Sequence, residues 1–188
     1  MAEDKENHCS IDLDWIKTID QITFLNKLLF NQKNLEQVNF MFQHHGIYNF
    51  LKQKKNIRLY NFDHHHDFFY STEHEGHEKV DQANWVHYLI QHDSVSEYHW
   101  IKNIDSEWQT YAPIIPFLKK DFVYLIYDEY HEFKDLQFKS VSICLSPEFT
   151  GRNSQDIYQV YMDYFKHIGV PVQIHRVSKE FHKSLIPQ

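Results

Sequence analysis

The chain has 188 residues, of which 42% are hydrophobic, and this composition is ample for one packed globular domain. Its formal net charge of -7 argues against nucleic-acid and anionic-membrane partners, because both select for clustered Lys and Arg. The chain has neither an amino-terminal apolar stretch nor a later run near the ~20 apolar residues that span a bilayer. We therefore expect a cytoplasmic protein in which Cys9 and Cys144 stay reduced.

Apolar periodicity predicts strands that alternate with helices along the chain. The predicted strands cover residues 10–16, 38–42, 57–62, 98–104, 122–127, 141–145 and 170–175, and the predicted helices cover residues 19–30, 46–54, 80–91 and 155–168. Because such strands pair in parallel, we expect an α/β fold, a three-layer α/β/α sandwich with a mainly parallel sheet. A single domain should span residues 1–188, with a loosely held lead-in (1–8) and tail (about 178–188).

A histidine-rich segment with an aspartate at each end, Asp63-His64-His65-His66-Asp67, directly follows the predicted strand 57–62. If the strand pleat continued, Asp63, His65 and Asp67 would share one face, and the two other histidines would point away. Carboxylates and imidazoles without thiolates are ligands that suit Mn²⁺, and iron or zinc less definitely. The segment therefore predicts a metal site.

Two further pairs carry the same ligand types. Asp12 and Asp14 lie at the end of the first predicted strand, and His44 and His45 follow the second. A turn or helix cap would also explain the aspartates, and local backbone contacts would explain the histidines. Since the carboxyl ends of parallel strands meet at one edge of the sheet, all these side chains can share one crevice. Six ligands suffice for two ions, so we hypothesise a dinuclear site.

These motifs resemble the ureohydrolase superfamily, and more closely its small relatives, the peptide arginases, which convert arginine to ornithine in ribosomally made precursor peptides. Asp63–Asp67 looks like the Asp-x-His-x-Asp motif of arginases, and Ile11–Trp15 looks like their Asp-x-Asp strand. That strand comes late in arginase proper but near the amino terminus in the small relatives, as it does here. Further similarities are His44-His45-Gly46-Ile47, Asn84-Trp85 and Ser146-Pro147-Glu148.

The resemblance implies an arginase-like fold and a role for each ligand. Asp63 and Asp12 would bridge two divalent ions, Mn²⁺ being favoured. One ion would be completed by His44 and Asp67, and the other by His65 and Asp14. His44 is preferred as the metal ligand, and His45 is the alternative.

The resemblance also implies a substrate and the residues that meet it. Glu148 would face the guanidinium group, although a capping role explains it equally well, and Asn84 and Trp85 would bind substrate. The proton donor to the leaving amine is left open among Asp67, His74 and His77. The additional segment with which arginase proper holds the α-amino and α-carboxyl groups of a free amino acid is missing here. This difference favours arginine within a precursor peptide as the substrate. Homo-oligomerisation is left open.

Other interpretations of the same residues remain. A hydrolase on this scaffold can instead act on a small guanidino or amide compound. A non-catalytic metal-binding or peptide-binding protein would take up metal without turnover. A histidine-rich storage protein would not need its ligands at the ends of strands.

Overall fold

The described residues form one parallel sheet of seven strands with helices packed against it. The computed structural model describes residues 5–68, 80–106, 122–147, 150 and 152–175. Its strands are β1 (Glu6–Asp12), β2 (Gln37–Met41), β3 (Ile57–Phe62), β4 (Val95–Ile101), β5 (Val123–Tyr127), β6 (Ser140–Cys144) and β7 (Val172–His175). They lie side by side in the order β5-β4-β3-β1-β6-β2-β7, and every pair is parallel. The predicted α/β class with a parallel sheet is confirmed.

Within the described residues, four α-helices connect the strands. They are α1 (Ile19–Phe30), α2 (Gly46–Leu51), α3 (Trp85–Gln91) and α4 (Arg152–His167), with short 3-10 helices at Leu13–Trp15 and His131–Asp135. Helix α3 begins five residues later than predicted, because the preceding residues form a turn in which the Asp81 backbone N–H donates to the side chain of Asn84 (2.8 Å). Within the described ranges, no helix is long and apolar enough to cross a membrane.

The helices cover both faces of the sheet. On one face, α1 and α4 pack against apolar side chains of the central strands, such as Ile11 and Phe40. On the other face, α2 and α3 pack against a second apolar cluster that includes Leu59 and Trp100. Because successive strand residues point to opposite faces, strands β2 to β6 contribute to both clusters. The arrangement is consistent with a three-layer sandwich.

The central strands carry polar side chains on the face that α2 and α3 cover. His8 and Ser10 of β1, Asn39 of β2, Asn61 of β3 and Ser142 of β6 are all fully buried. Strand β1 begins at Glu6, so residues 6–8 of the predicted loose lead-in (1–8) lie in the sheet, and residues 1–4 lie outside the described residues. The next residues on this face, Asp12 after Ser10 and Asp63 after Asn61, lie at the carboxyl end of the sheet.

The winding of the chain creates a crevice at that end. Helix α1 leads from β1 to β2 over one face, whereas α3 leads from β3 to β4 over the other. Right-handed crossovers on opposite faces carry the chain in opposite directions from the centre of the sheet. Ligand sites in such sheets form where the direction reverses, at the carboxyl ends of the strands.

Candidate metal centre

Six acidic and imidazole side chains meet at the carboxyl ends of the central strands. They come from the ends of β1, β2 and β3, three strands that lie within a run of four neighbours in the sheet. They line a cavity of about 260 Å³, whose lining among the described residues is Asp12, Asp14, His44, Asp63, His65, Asp67, Gln82, Ala83 and Ser146. All six ligands favoured from sequence are thus brought together.

The segment after β3 reaches the cavity by a bend and not by the strand pleat. Strand β3 ends at Phe62, and the backbone N–H of His65 turns back to donate to Oδ1 of Asp63 (2.9 Å). Asp67 then takes a φ of +52°, in the left-handed region that L-residues rarely adopt. The predicted convergence of Asp63, His65 and Asp67 is present, but the predicted cause, a continued strand, is wrong.

The aspartates after β1 converge in a similar way. Asp12 is the last residue of β1, and Asp14 lies in the 3-10 turn that follows. The backbone N–H of Asp14 donates to Oδ1 of Asp12 (3.2 Å), so the first aspartate caps the turn that carries the second. The capping and metal-binding interpretations of Asp12 are therefore compatible, because its Oδ2 faces the cavity residue His44 at 3.5 Å.

Two groups of three possible ligands share Asp63. Within each group, one ligand atom per residue lies within 4.8 Å of the others; the groups are Asp12, His44 and Asp63, and Asp14, Asp63 and His65. Nδ1 of His44 is 2.9 Å from Oδ2 of Asp63 and 2.7 Å from Oδ2 of Asp67. Nδ1 of His65 is 3.6 Å from Oδ2 of Asp14. Such a geometry can hold two cations joined by one carboxylate.

Neutral side chains behind the ligands fix their orientation. Oγ of Ser10 lies 2.7 Å from Nε2 of His44. The hydroxyl of Ser146 donates to Oδ2 of Asp12, and Nδ2 of Asn61 donates to Oδ2 of Asp63 (3.3 Å). Partners of this kind set the orientation and basicity of metal ligands.

Burial and mutual repulsion shape the electrostatics of the cavity. Burial, followed by the neighbouring carboxylates, raises the pKa of Asp12 and of Asp63 to about 6 and that of Asp14 to about 9. Burial alone would lower the pKa of His44, but the carboxylates of Asp67 and Asp63 outweigh it and hold that pKa well above its usual value. The cavity therefore favours positive charge.

The donor set fits divalent cations. Oδ1 of Asp14 is buried and has no hydrogen-bond partner within the described part of the chain. A buried carboxylate oxygen without a partner is costly, and metal coordination is one of the ways in which proteins satisfy it. Oxygen and imidazole ligands without thiolate suit Mn²⁺ among the common ions.

Other residues named from sequence lie elsewhere. His45 is the residue before α2 and belongs to neither ligand group nor to the cavity lining. Asn84 and Trp85 are buried and outside that lining, although Trp85 donates to Asp67. His74, His77 and Glu148 lie outside the described residues.

Sequence reasoning missed several residues around the cavity. Ser10 precedes Asp12 by two residues on the same strand, so the strand period places both on one face and was a usable signal. Ser146 was noted in the Ser-Pro-Glu motif without a role. Nothing in the sequence marked Gln82 and Ala83, which reach the cavity wall from the turn before α3.

Comparisons with protein-family models, curated proteins and solved structures found no match. The chemistry of the centre therefore rests on the residues described above.

The stability of the metal-free protein should fall as pH rises. Above about pH 4, an unfolded chain has lost the protons that the folded protein still holds on Asp12, Asp14 and Asp63. The raised pKa of these groups means that their stabilising contribution is lost as pH rises through the folded values, about 6 for the first and last. His44, whose pKa is also raised, acts in the same direction. Thermal unfolding with a chelator across this range measures the effect.

Added Mn²⁺ should reverse this trend, because it binds the deprotonated ligands and its stabilisation grows with pH. Asp14→Asn is the matched variant: it should raise the melting temperature of the metal-free protein at alkaline pH and reduce the response to metal. A metal-free melting temperature that stays level or rises with pH would contradict the electrostatic account.

Ser10→Ala should weaken metal binding by about 10- to 100-fold, the usual effect of losing a partner behind a ligand. When Nδ1 of His44 faces a cation, Nε2 carries the proton and donates to Ser10, so the hydroxyl selects the binding tautomer. Ser142→Ala is the control, since Ser142 is the strand neighbour of Ser10, is equally buried, and its Oγ has no partner among the described residues. Competition titration against a metal indicator distinguishes them; equal losses would exclude a specific role for Ser10.

Proposed function

We propose that this chain is a dinuclear metal-dependent hydrolase that converts peptidyl arginine to ornithine and releases urea. The observation that carries the proposal is the pair of ligand groups that share Asp63 in one buried cavity. A single structural ion needs about four ligands, and six convergent ligands around a cavity exceed that need. The ligand types favour Mn²⁺.

The chain's own residues would divide the work of binding. His44 lies close to Asp12, Asp63 and Asp67, and His65 lies close to Asp14, so the first set would hold one ion and the second set, with Asp63, the other. When bound, a pair of divalent ions lowers the pKa of a shared water, which makes hydroxide available near neutral pH to attack a guanidinium carbon. The resemblance to peptide arginases adds Asp12 as a second bridge.

The charge of the cavity supports a cationic substrate. Its described lining contains four aspartates and no Lys or Arg. A guanidinium group complements these carboxylates through charge-assisted hydrogen bonds. Glu148, which the resemblance places against the guanidinium, lies beside the cavity residue Ser146 in sequence.

The same lining disfavours free arginine. An α-carboxylate would require a cationic or strongly donating partner, and the described wall of the cavity offers none of the basic side chains that usually serve. A volume of about 260 Å³ has room for a guanidinium side chain. We therefore favour arginine within a precursor peptide, processed in the cytoplasm by an arginase-like fold.

Mass spectrometry of arginine-containing peptides tests the proposal. Incubation with the Mn²⁺-loaded protein should lower the peptide mass by ~42 Da per converted arginine, and urea should appear in equal amount, as water adds across the guanidinium carbon. The same peptide with lysine in place of arginine should keep its mass. Conversion of free arginine or of a small guanidino compound alone would replace the peptide substrate in the proposal. Metal uptake with no conversion of any of these would favour the non-catalytic alternative.

Asp63→Asn should remove both ions and abolish turnover, because its carboxylate belongs to both ligand groups. The loss of metal affinity should exceed the ~100-fold loss expected when a hydrogen-bond partner of a ligand is removed. His44→Ala and His65→Ala should each lower the metal content by one ion. Elemental analysis of the purified variants measures this, with the same Asp-to-Asn change at the exposed Asp163 of α4 as control. Two ions retained in Asp63→Asn would refute the shared ligand.

A further inference from the structure

Trp85 lies behind the cavity and contacts two of the candidate ligands, Asp67 and His44. It is the first residue of α3 and is fully buried. Its indole Nε1–H donates to Oδ2 of Asp67 at 2.5 Å, and its ring centroid is 4.9 Å from that of His44. One side chain thus touches both a carboxylate and an imidazole that are themselves 2.7 Å apart.

The start of α3 holds Asp67 at a second point. The backbone N–H of Val86 donates to the carbonyl oxygen of Asp67 (3.2 Å). Asp67 needs such support, because its φ of +52° is a conformation that costs an L-residue free energy unless the surroundings enforce it. Helix α3 therefore fixes both the backbone and the carboxylate of this residue.

The helix start is itself defined by local hydrogen bonds. The side chain of Asn84 accepts from the backbone N–H of Asp81 (2.8 Å), and the side chain of Asp81 accepts from that of Ala83 (2.9 Å). This turn places Trp85 two residues after Ala83, which lines the cavity together with Gln82. The same turn thus forms one wall of the cavity and aims the indole at Asp67.

We propose that Trp85 is a positioning residue that orients Asp67 and His44 and thereby gives one of the two ions its affinity. The proposal rests on the dinuclear site described above. Resemblance had suggested substrate binding for Trp85, but its complete burial outside the cavity lining gives substrate no access to it. Its effect on chemistry passes through the ligands.

The effect should be confined to one ion. Asp14 and His65 of the other group are carried by the turn after β1 and the bend after β3, and each of these has its own backbone-to-carboxylate hydrogen bond. Removing the indole N–H leaves both of those bonds in place. The ion held by His44 should therefore weaken while the ion held by His65 stays.

Trp85→Phe tests the proposal through metal affinity, measured by competition with a chromophoric chelator. Wild type should bind two ions tightly, whereas Trp85→Phe should keep one and bind the other about 10- to 100-fold more weakly. The weakened ion should be the one missing in His44→Ala and retained in His65→Ala. For turnover, kcat should fall at saturating peptide with KM little changed.

Tyr158→Phe is the control. Tyr158 is buried in α4, lies outside the cavity lining, and its hydroxyl has no hydrogen-bond partner among the described residues. Removing that hydroxyl takes away no ligand contact, so the variant should leave the affinity for both ions unchanged. Equal losses of affinity in Tyr158→Phe and Trp85→Phe would overturn the proposal.

A double-mutant cycle shows whether Trp85 acts through Asp67. In an Asp67→Asn background, Trp85→Phe should cause a smaller further loss of affinity than in wild type, because the carboxylate that the indole orients is gone. Full additivity of the two losses would overturn the proposal. If Trp85→Phe fails to fold, the benzothiophene analogue of tryptophan keeps the ring shape, lacks the N–H and should give the same selective loss.

The outcomes separate the two proposals. A wild-type protein that binds no divalent ion overturns both. Two tightly bound ions in wild type and in Trp85→Phe overturn only the role of Trp85. Selective weakening of one ion without any peptide conversion supports the role of Trp85 and contradicts the proposed reaction.

Discussion

The structure is organised around four aspartates that converge in one buried cavity. Burial, followed by the neighbouring carboxylates, raises the pKa of Asp12, Asp14 and Asp63, which destabilises the metal-free fold at the pH where these groups ionise. A bound cation would relieve this cost, and the buried Oδ1 of Asp14, which has no partner among the described residues, is the local sign of that need. The scaffold must therefore hold groups that repel each other. The parallel sheet does so by ending three strands at the same edge, each of them anchored by its neighbours on both sides.

Strained backbone marks the places where this hold is tightest. Of the four non-glycine residues with positive φ in the described chain, Asp67 and Ser146 both line the cavity. Hydrogen bonds to another element secure each of them. Asp67 is held by α3. Ser146 donates its backbone N–H to Phe42, the residue that follows β2, and its hydroxyl to Asp12. Strain of this kind persists where the surroundings over-determine a conformation, which is common at functional sites.

Sequence periodicity predicted the scaffold better than it predicted the site. Strand β3 and helix α1 have the predicted bounds, because both are long enough for a clear hydrophobic period and end at polar residues. The convergence of the ligands was also predictable from the rule that carboxyl ends of parallel strands meet. Turn geometry was not predictable: the bend after Asp63 depends on a hydrogen bond from the His65 backbone N–H to the Asp63 carboxylate, which the strand pattern does not indicate. Contacts of Trp85 and Ser146 join residues 18 and 134 positions apart, and no local period encodes them.

The two halves of the centre differ in their access to solvent, and the difference bears on the proposed reaction. The side chain of His44 is 2% exposed and that of His65 is 32% exposed, although both belong to ligand groups that share Asp63. In the proposed reaction, the arginine of the peptide would extend inward from the more open side, next to His65. The buried half, which Trp85 and Ser10 contact, would then be the rigid side against which the charge of the guanidinium is held. Preorganised groups of this kind stabilise developing charge without the cost of reorganising during the reaction.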